Sequence, residues 1–431
     1  MKDIPVSAPP SETKAGCDEH DSSLLTVEQV HEQLASLTTP VAGIERVAIR
    51  SALGRVLAED IISPFNVPPY ANSAMDGYAL NFSDLKSADL NSKTDISLTV
   101  IGSSFAGEPF DGTVKAGQCV RIMTGAQIAD GTDTVIMQEQ VKRDGDEITI
   151  GAGHCAGQNV RHPGEDMKQG SMVLTTGKTI GATELGLLAS LGYPEVNVRR
   201  KLRVAFFSTG DELRSVGEPL QQGQIYDSNR YTIFGMLDRL GVEMIDMGVI
   251  RDDEQAIETA FKDAAAIADA VITSGGVSVG EADFVKLTLD KIGQVDFWRV
   301  AMKPGKPLAL GKIDDALFFG LPGNPVSVMA TFYLFALPAL RHMMGQAYQQ
   351  PLTVKAVTKS VIKKRPGRTD YQRGIVSNEN GKLIVDASGI QASHILSGMS
   401  QANCFAVIPK DSSSIAAGEE VDVILFDGLV S

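Results

Sequence analysis

No apolar run in this 431-residue chain reaches the ~18 residues that a membrane span needs. The longest candidate, 326–340, is shorter and contains Pro338, so the expectation there is a buried helix. Cysteine is sparse. Cys17, Cys119, Cys155 and Cys404 stand far apart, form no C-x-x-C pair and offer no small disulfide framework. Cys155 and His162 lack the second spaced pair that a zinc site requires. Basic charge is also short. Thirty-nine Lys and Arg against 53 Asp and Glu leave a net charge of −14, which makes a poor non-specific nucleic-acid binder. An anionic ligand would have to be met by local basic clusters and backbone N–H groups. Lys2 and Asp3 open the chain without the apolar stretch of a signal peptide, so the expected setting is a reducing cytoplasm, with neither membrane nor nucleic acid as partner. No G-x-S-x-G elbow, Walker A loop or H-E-x-x-H pair is found.

What is present points to a large globular protein. Hydrophobic residues make up 43% and charged residues 21%, and the length is too great for one core, so three or four domains are expected. Residues 1–22 read as a disordered lead-in. Thr26 and Gln29 form a capping box for a first helix with Val27, Val30 and Leu34 on one face. From about 97 to 150, short apolar runs and the turn at 143–146 predict a β-rich segment. From about 201 to 345 strands and helices alternate, which predicts an α/β domain with a mainly parallel, doubly wound sheet. From 351 the pattern returns to short strands, as in a barrel-like β domain.

Candidate functional residues cluster where strands of the α/β segment end. The run 273–283 joins an apolar strand to Ser274, Gly275 and Gly276, whose backbone can approach phosphate oxygens, and closes on Asp283, placed to hold Mg²⁺. Ser208, Thr209 and Gly210 follow another strand, with Glu212 beside them; helix capping is the plain alternative. Asp252 and Asp253 follow a third, with the same alternative. Three carboxylates, Glu212, Asp252 and Asp283, on neighbouring loops would repel one another unless a cation neutralised them. Lys303 and Lys306 lie in the stiff K-P-G-K-P loop and suit an anion, and Pro322, Gly323 and Asn324 form a low-bulk turn. Loops at strand ends of a parallel sheet can converge on one site. Upstream, Asp76 sits in a Pro-flanked polar loop and Thr124 at a strand end. Downstream, Arg373 and Ser393 could meet a tetrahedral oxyanion, against the alternative of ordinary surface polarity.

In combination these motifs resemble the molybdopterin molybdenumtransferase family of the MoeA type, which includes the C-terminal part of gephyrin. The carriers are N-S-A-M-D-G-Y-A (72–79), R-I-M-T-G-A (121–126), R-H-P-G-E-D (161–166), F-S-T-G-D-E-L (207–213), Y-D-S-N-R (226–230), S-G-G-V-S-V-G-E-A-D (274–283), K-P-G-K-P (303–307), L-P-G-N-P-V-S (321–327) and G-R-T-D-Y-Q-R-G (367–374). The resemblance implies a transferase that takes adenylylated molybdopterin and molybdate and, with Mg²⁺, yields molybdenum cofactor and AMP. It implies an elongated homodimer with a linker and dimerisation domain at 23–68 and 163–200, a β-rich domain at 69–162, an α/β domain at 201–350 and a C-terminal β domain at 351–431. Asp76, Thr124 and Asp166 would come from one subunit, and Glu212, Asp252, Asp283 and Lys303 from the other. Further partners implied are the molybdopterin adenylyltransferase and the apo-molybdoenzymes or their chaperones.

The sequence departs from the family pattern at Arg299, where lysine is usual, at 69–71 (Pro-Tyr-Ala), where one carboxylate fewer is present, and around 84–95, which reads as a surface insertion. Two rival functions are an adenylyltransferase, whose family is small and single-domain, and a non-catalytic molybdopterin carrier or scaffold. The extra β segments speak against the first, and the intact Glu212, Asp252 and Asp283 against the second.

Overall fold

The computed structural model describes residues 24–86, 95–276 and 284–426, which fall into two compact units. The first unit contains residues 24–45, 54–56 and 199–426, and the second contains 46–53 and 57–198, apart from the stretches just excluded.

The first unit is built on a six-stranded sheet in the order Glu243–Ile250, Arg203–Thr209, Ala270–Ser274, Ala316–Leu321, Pro307–Ile313, Gly293–Arg299. The first four strands are parallel, as the alternation of strands and helices predicts; Pro307–Ile313 runs antiparallel to both of its neighbours. The reason lies in its connection. A short turn at 314–315 joins Pro307–Ile313 to Ala316–Leu321, and a hairpin of that length cannot join parallel strands. Alternate side chains leave each strand on opposite faces. Val204, Phe206, Ile272 and Phe319 enter a core with Ile233 and Leu237 of the helix Ser228–Leu240. Ala205, Phe207, Val271 and Phe318 enter a second core with Ile257 and Phe261 of the helix Glu254–Ile267. The sheet is therefore covered on both sides, the doubly wound arrangement.

The segment Pro325–Met343 is long and apolar enough to cross a membrane, but 83% of that stretch is buried, so its apolar surface belongs to the core. Pro338 cannot donate to the carbonyl four residues earlier, and the helix widens into a π turn over Phe332–Ala336 just before it. The helix Val27–Leu37 adds Val27, Val30 and Leu34 to the same core. Its capping box is formed as expected: the Thr26 N–H donates to Gln29 Oε1 at 2.8 Å, and the Gln29 N–H to Thr26 Oγ at 3.2 Å.

The C-terminal β region is a closed barrel of five strands. Thr369–Glu379, Lys382–Asp386, Val354–Thr358, Glu420–Leu425 and Cys404–Ile408 pair in that order, and the last returns to the first. The short strand Met302–Lys303 adds to its rim in parallel, with Lys303 opposite Asp370.

The second unit carries the β-rich sheet, in the order Thr134–Met137, Gly77–Leu80, Gln118–Ile122, Ile96–Ser104, Glu147–Ile150, Val141–Asp144. The last two form the predicted hairpin around Gly145, whose φ of 57° suits glycine. A separate core gathers Leu57, Ile61, Leu174, Leu188 and Val198 around the helix Ala182–Ser190.

Candidate active site

At the carboxyl edge of the parallel strands, the loops of the first unit enclose a cavity of about 880 Å³. From the loop after Arg203–Thr209 come Thr209, Gly210 and Glu212; from the next, Asp252. Gly275 and Gly276 follow Ala270–Ser274, and Pro322, Gly323 and Asn324 follow Ala316–Leu321. The barrel side supplies the Lys303 to Lys306 loop, Arg368, Gln391, Ser393 and His394. Sequence-predicted residues from six separate segments thus line one space.

The glycines are required by space as well as conformation. Gly275 has φ 91°, and a Cβ there would lie 2.8 Å from the Thr209 carbonyl oxygen. Gly276 has φ 65°, and a Cβ would lie 2.4 Å from Val285 Cγ2 and 2.9 Å from Thr209 Oγ. The 275–276 turn therefore packs directly on Thr209, and two strand ends close together. Ser208 and Ser274 lie buried beneath these turns rather than on the cavity wall.

Charges of both signs line the cavity. Glu212 folds back over Gly210, where a Cβ would meet its carboxylate at 2.6 Å. The Asp252 N–H donates to Asp211 Oδ1 at 3.3 Å. Burial, then the neighbouring carboxylates of Asp211 and Glu212, raise the Asp252 carboxyl above its ordinary range. Asp211 is the acidic partner that the sequence did not single out, because the same position reads equally as a helix-start residue. Asp253 takes the plain role: its side chain accepts from the Ala256 N–H and caps the helix Glu254–Ile267. Asp283 lies outside the described residues. Against these carboxylates stand Lys303, Lys306 and Arg368. The lysine loop is held by the Val300 N–H on the Lys306 carbonyl at 2.8 Å, and by Gly305, whose Cβ would meet Thr331 Cγ2 at 2.7 Å.

Arg373 does not reach the cavity wall. It is 5% exposed, and its guanidinium donates to the carbonyl oxygens of Ile395 at 2.6 Å, Ala392 at 3.1 Å and Ile390. Gln391 secures the same loop by exchanging two hydrogen bonds with the Arg373 backbone. Arg373 is thus the brace of the loop that presents Ser393 and His394. Burial lowers its pKa. Arg368 and His394, which belong to the same runs as Arg373 and Ser393, also line the cavity, as do Met302, Ser327 and Gln391, and nothing in the local pattern marks Gln391.

In the second unit Asp76 and Thr124 meet. Asp76 Oδ1 accepts from the Thr124 N–H at 2.8 Å and from its hydroxyl at 2.7 Å, and these bonds hold the carboxyl below its ordinary range. Antiparallel register explains the meeting, since Gly77 lies opposite Ile122 and the residues just outside both strands share one edge. Asp166 is exposed, and its N–H donates to the Val67 carbonyl at 3.0 Å.

Comparison with known proteins agrees along nearly the whole chain. Residues 25–192 match the family described as MoeA N-terminal region (domain I and II), 205–342 the probable molybdopterin binding domain, and 355–426 the MoeA C-terminal region (domain IV). The molybdopterin molybdenumtransferase of Haemophilus influenzae is 46% identical over 94% of this chain and 100% of that protein. Its namesake from Nostoc is 36% identical over 88% of each. The crystal structure of a molybdopterin biosynthesis moeA protein from Pyrococcus horikoshii aligns with TM-score 0.80 at 33% identity, over 93% of this chain and all of that one.

Proposed function

Because this chain belongs to the MoeA family of molybdopterin molybdenumtransferases, transferases of molybdenum cofactor biosynthesis, we propose that it converts adenylylated molybdopterin and molybdate to molybdenum cofactor and AMP. The observation that carries this reading is the convergence of two lysines, two carboxylates and two glycine turns on one cavity at the sheet's carboxyl edge. A volume of about 880 Å³ suits a nucleotide-sized ligand.

The donor set fits Mg²⁺. Glu212 and Asp252 offer hard oxygen ligands, and the Asp252 carboxyl, raised first by burial and then by the carboxylates of Asp211 and Glu212, would be stabilised in its charged form by a bound cation. Among the described residues no group of three His, Cys, Asp or Glu is close enough to form a cage. Mg²⁺ does not need one, because it binds through one or two carboxylates with waters and substrate phosphates; Asp283 would be a third ligand. When bound, Mg²⁺ would supply charge neutralisation at the pyrophosphate. The chain's own residues do the rest. The 275–276 and 322–324 turns bring backbone close to the phosphates. Lys303 and Lys306 offset the charge of phosphate and oxyanion, and the loop braced by Arg373 presents Ser393 to the oxyanion. The reaction joins phosphoanhydride cleavage to metal capture by the dithiolene, and positioning with charge stabilisation suffices without a protein nucleophile. In a homodimer, the loop edge that the Asp76–Thr124 pair stiffens, together with Asp166, would be presented to the site of the partner subunit.

The test is to mix the protein with adenylylated molybdopterin, Mg²⁺ and molybdate and to follow AMP. Molybdate-dependent release is expected, with a loss of two orders of magnitude or so in Asp252→Asn. Tight binding without AMP release under any metal or oxyanion would overturn the transferase reading in favour of a carrier.

A further inference from the structure

The Y-D-S-N-R run at 226–230 gives no residue to the cavity wall among the described residues, yet it reaches two of the turns that form that wall. Asp227 is buried and caps the helix Ser228–Leu240, its side chain accepting from the Arg230 N–H at 3.1 Å. The Arg230 guanidinium donates to Asp246 of the neighbouring strand at 3.2 Å. These contacts fix the first helical turn at the carboxyl edge of the sheet. Asn229 lies in that turn. Its Nδ2 donates to Ser274 Oγ at 2.8 Å and to the Gly323 carbonyl oxygen at 2.7 Å. A carbonyl can only accept, so the nitrogen end of the amide must face Gly323, and its orientation follows.

Gly323 lies on the cavity wall, and Ser274 is buried directly behind it. Ser274 precedes the 275–276 turn, and Gly323 is the middle of the 322–324 turn. Their strands are adjacent, with Ser274 opposite Leu321, and the Gly275 N–H donates to the Leu321 carbonyl at 3.2 Å. Past that backbone bond, the Asn229 carboxamide ties the end of one strand, at Ser274, to the turn that follows the other. Both of its N–H groups are used.

We propose that Asn229 is a positioning residue for the phosphate-bearing substrate, holding the 275–276 and 322–324 turns at the spacing that receives the anion. The proposal rests on the reading of this cavity as the adenylylated molybdopterin site. Two variants test it. Asn229→Asp is nearly isosteric but turns a carboxylate onto the Gly323 carbonyl; Asn229→Ala removes the tie without adding charge, and serves if the first does not fold. In each, the Kd for adenylylated molybdopterin measured by titration, and the KM for AMP release, should rise about tenfold or more, the effect of two lost hydrogen bonds. kcat per folded molecule should stay within about threefold, since the charged residues remain in place.

A purely structural role would lower the melting temperature and the active fraction but leave Kd and KM of the folded molecules unchanged; that result would overturn the proposal. If the unsubstituted protein binds adenylylated molybdopterin but releases no AMP, the transferase reading falls and the Kd comparison still decides the role of Asn229. If the unsubstituted protein does not bind it at all, both fall.

Discussion

In the unit built on the parallel sheet, Glu212, Asp252 and the lysine pair Lys303 and Lys306 come from three loops and line one cavity, whereas in the other unit Asp76 and Thr124 hydrogen-bond to each other. The difference follows from strand direction. Parallel strands all end at one edge, so each crossover delivers its loop to the same side. Antiparallel neighbours begin and end side by side, so the residues flanking them meet in pairs, as Asp76 and Thr124 do beside Gly77 and Ile122. One unit gathers polar groups that remain available to a ligand, and the other joins polar groups that stiffen a loop.

Four measurements would sharpen or break this contrast. The largest effect is expected in the cavity. Lys303→Ala should lower AMP release by between about a hundredfold and a thousandfold, with the melting temperature little changed, because it removes charge stabilisation from an exposed side chain. Next comes Gly77→Ala in the other unit. The added Cβ would lie 2.0 Å from the Ile136 carbonyl oxygen, which belongs to backbone and cannot swing aside. A destabilisation of about 3 kcal/mol is expected, read from unfolding in denaturant.

A smaller effect concerns the anchoring of the first helix. His31 is buried with Nδ1 2.9 Å from Tyr348 Oη, beside Phe335. Burial, opposed by Glu28, lowers its pKa from 6.5 to about 4. Between these values the unfolded chain takes up a proton that the folded protein does not. Stability should therefore decline as pH falls from about 6.5 to about 4 and level off below, apart from other groups. His31→Gln should flatten this part of a melting-temperature profile. The smallest effect is expected from Asp76→Asn, whose Oδ1 still accepts from Thr124; activity should stay within about threefold. A loss as large as that of Lys303→Ala would break the comparison and place the Asp76 charge at the reacting groups.

Much of this architecture was legible in the chain. The capping box at Thr26 and Gln29 and the hairpin at Gly145 are local chemistry, and the structure contains both. The strand-end loops were legible too, because apolar runs that stop at glycine and acid mark them in sequence. Other features were not. The antiparallel pairing of Pro307–Ile313 with Ala316–Leu321 depends on how short the 314–315 connection is, and alternating strands and helices suggested only parallel order. Arg373 carried an oxyanion reading from its residue type, yet its burial and three carbonyl partners make it a brace. Gln391 had no signal at all, since its role exists only where its loop folds back on the Arg373 backbone.

By itself the sequence determined where strands and helices start and stop, which loops carry glycine, acid and lysine, and the family to which the nine motifs belong. These properties depend on neighbours a few residues apart, through backbone conformation, capping and the period of apolar residues. Only the tertiary structure decided which of the polar residues share a cavity, which lie under it, and which are consumed by one another. Those outcomes depend on strand order and register, and these are set by burial of both faces of a sheet at once, a condition that no local stretch of sequence contains.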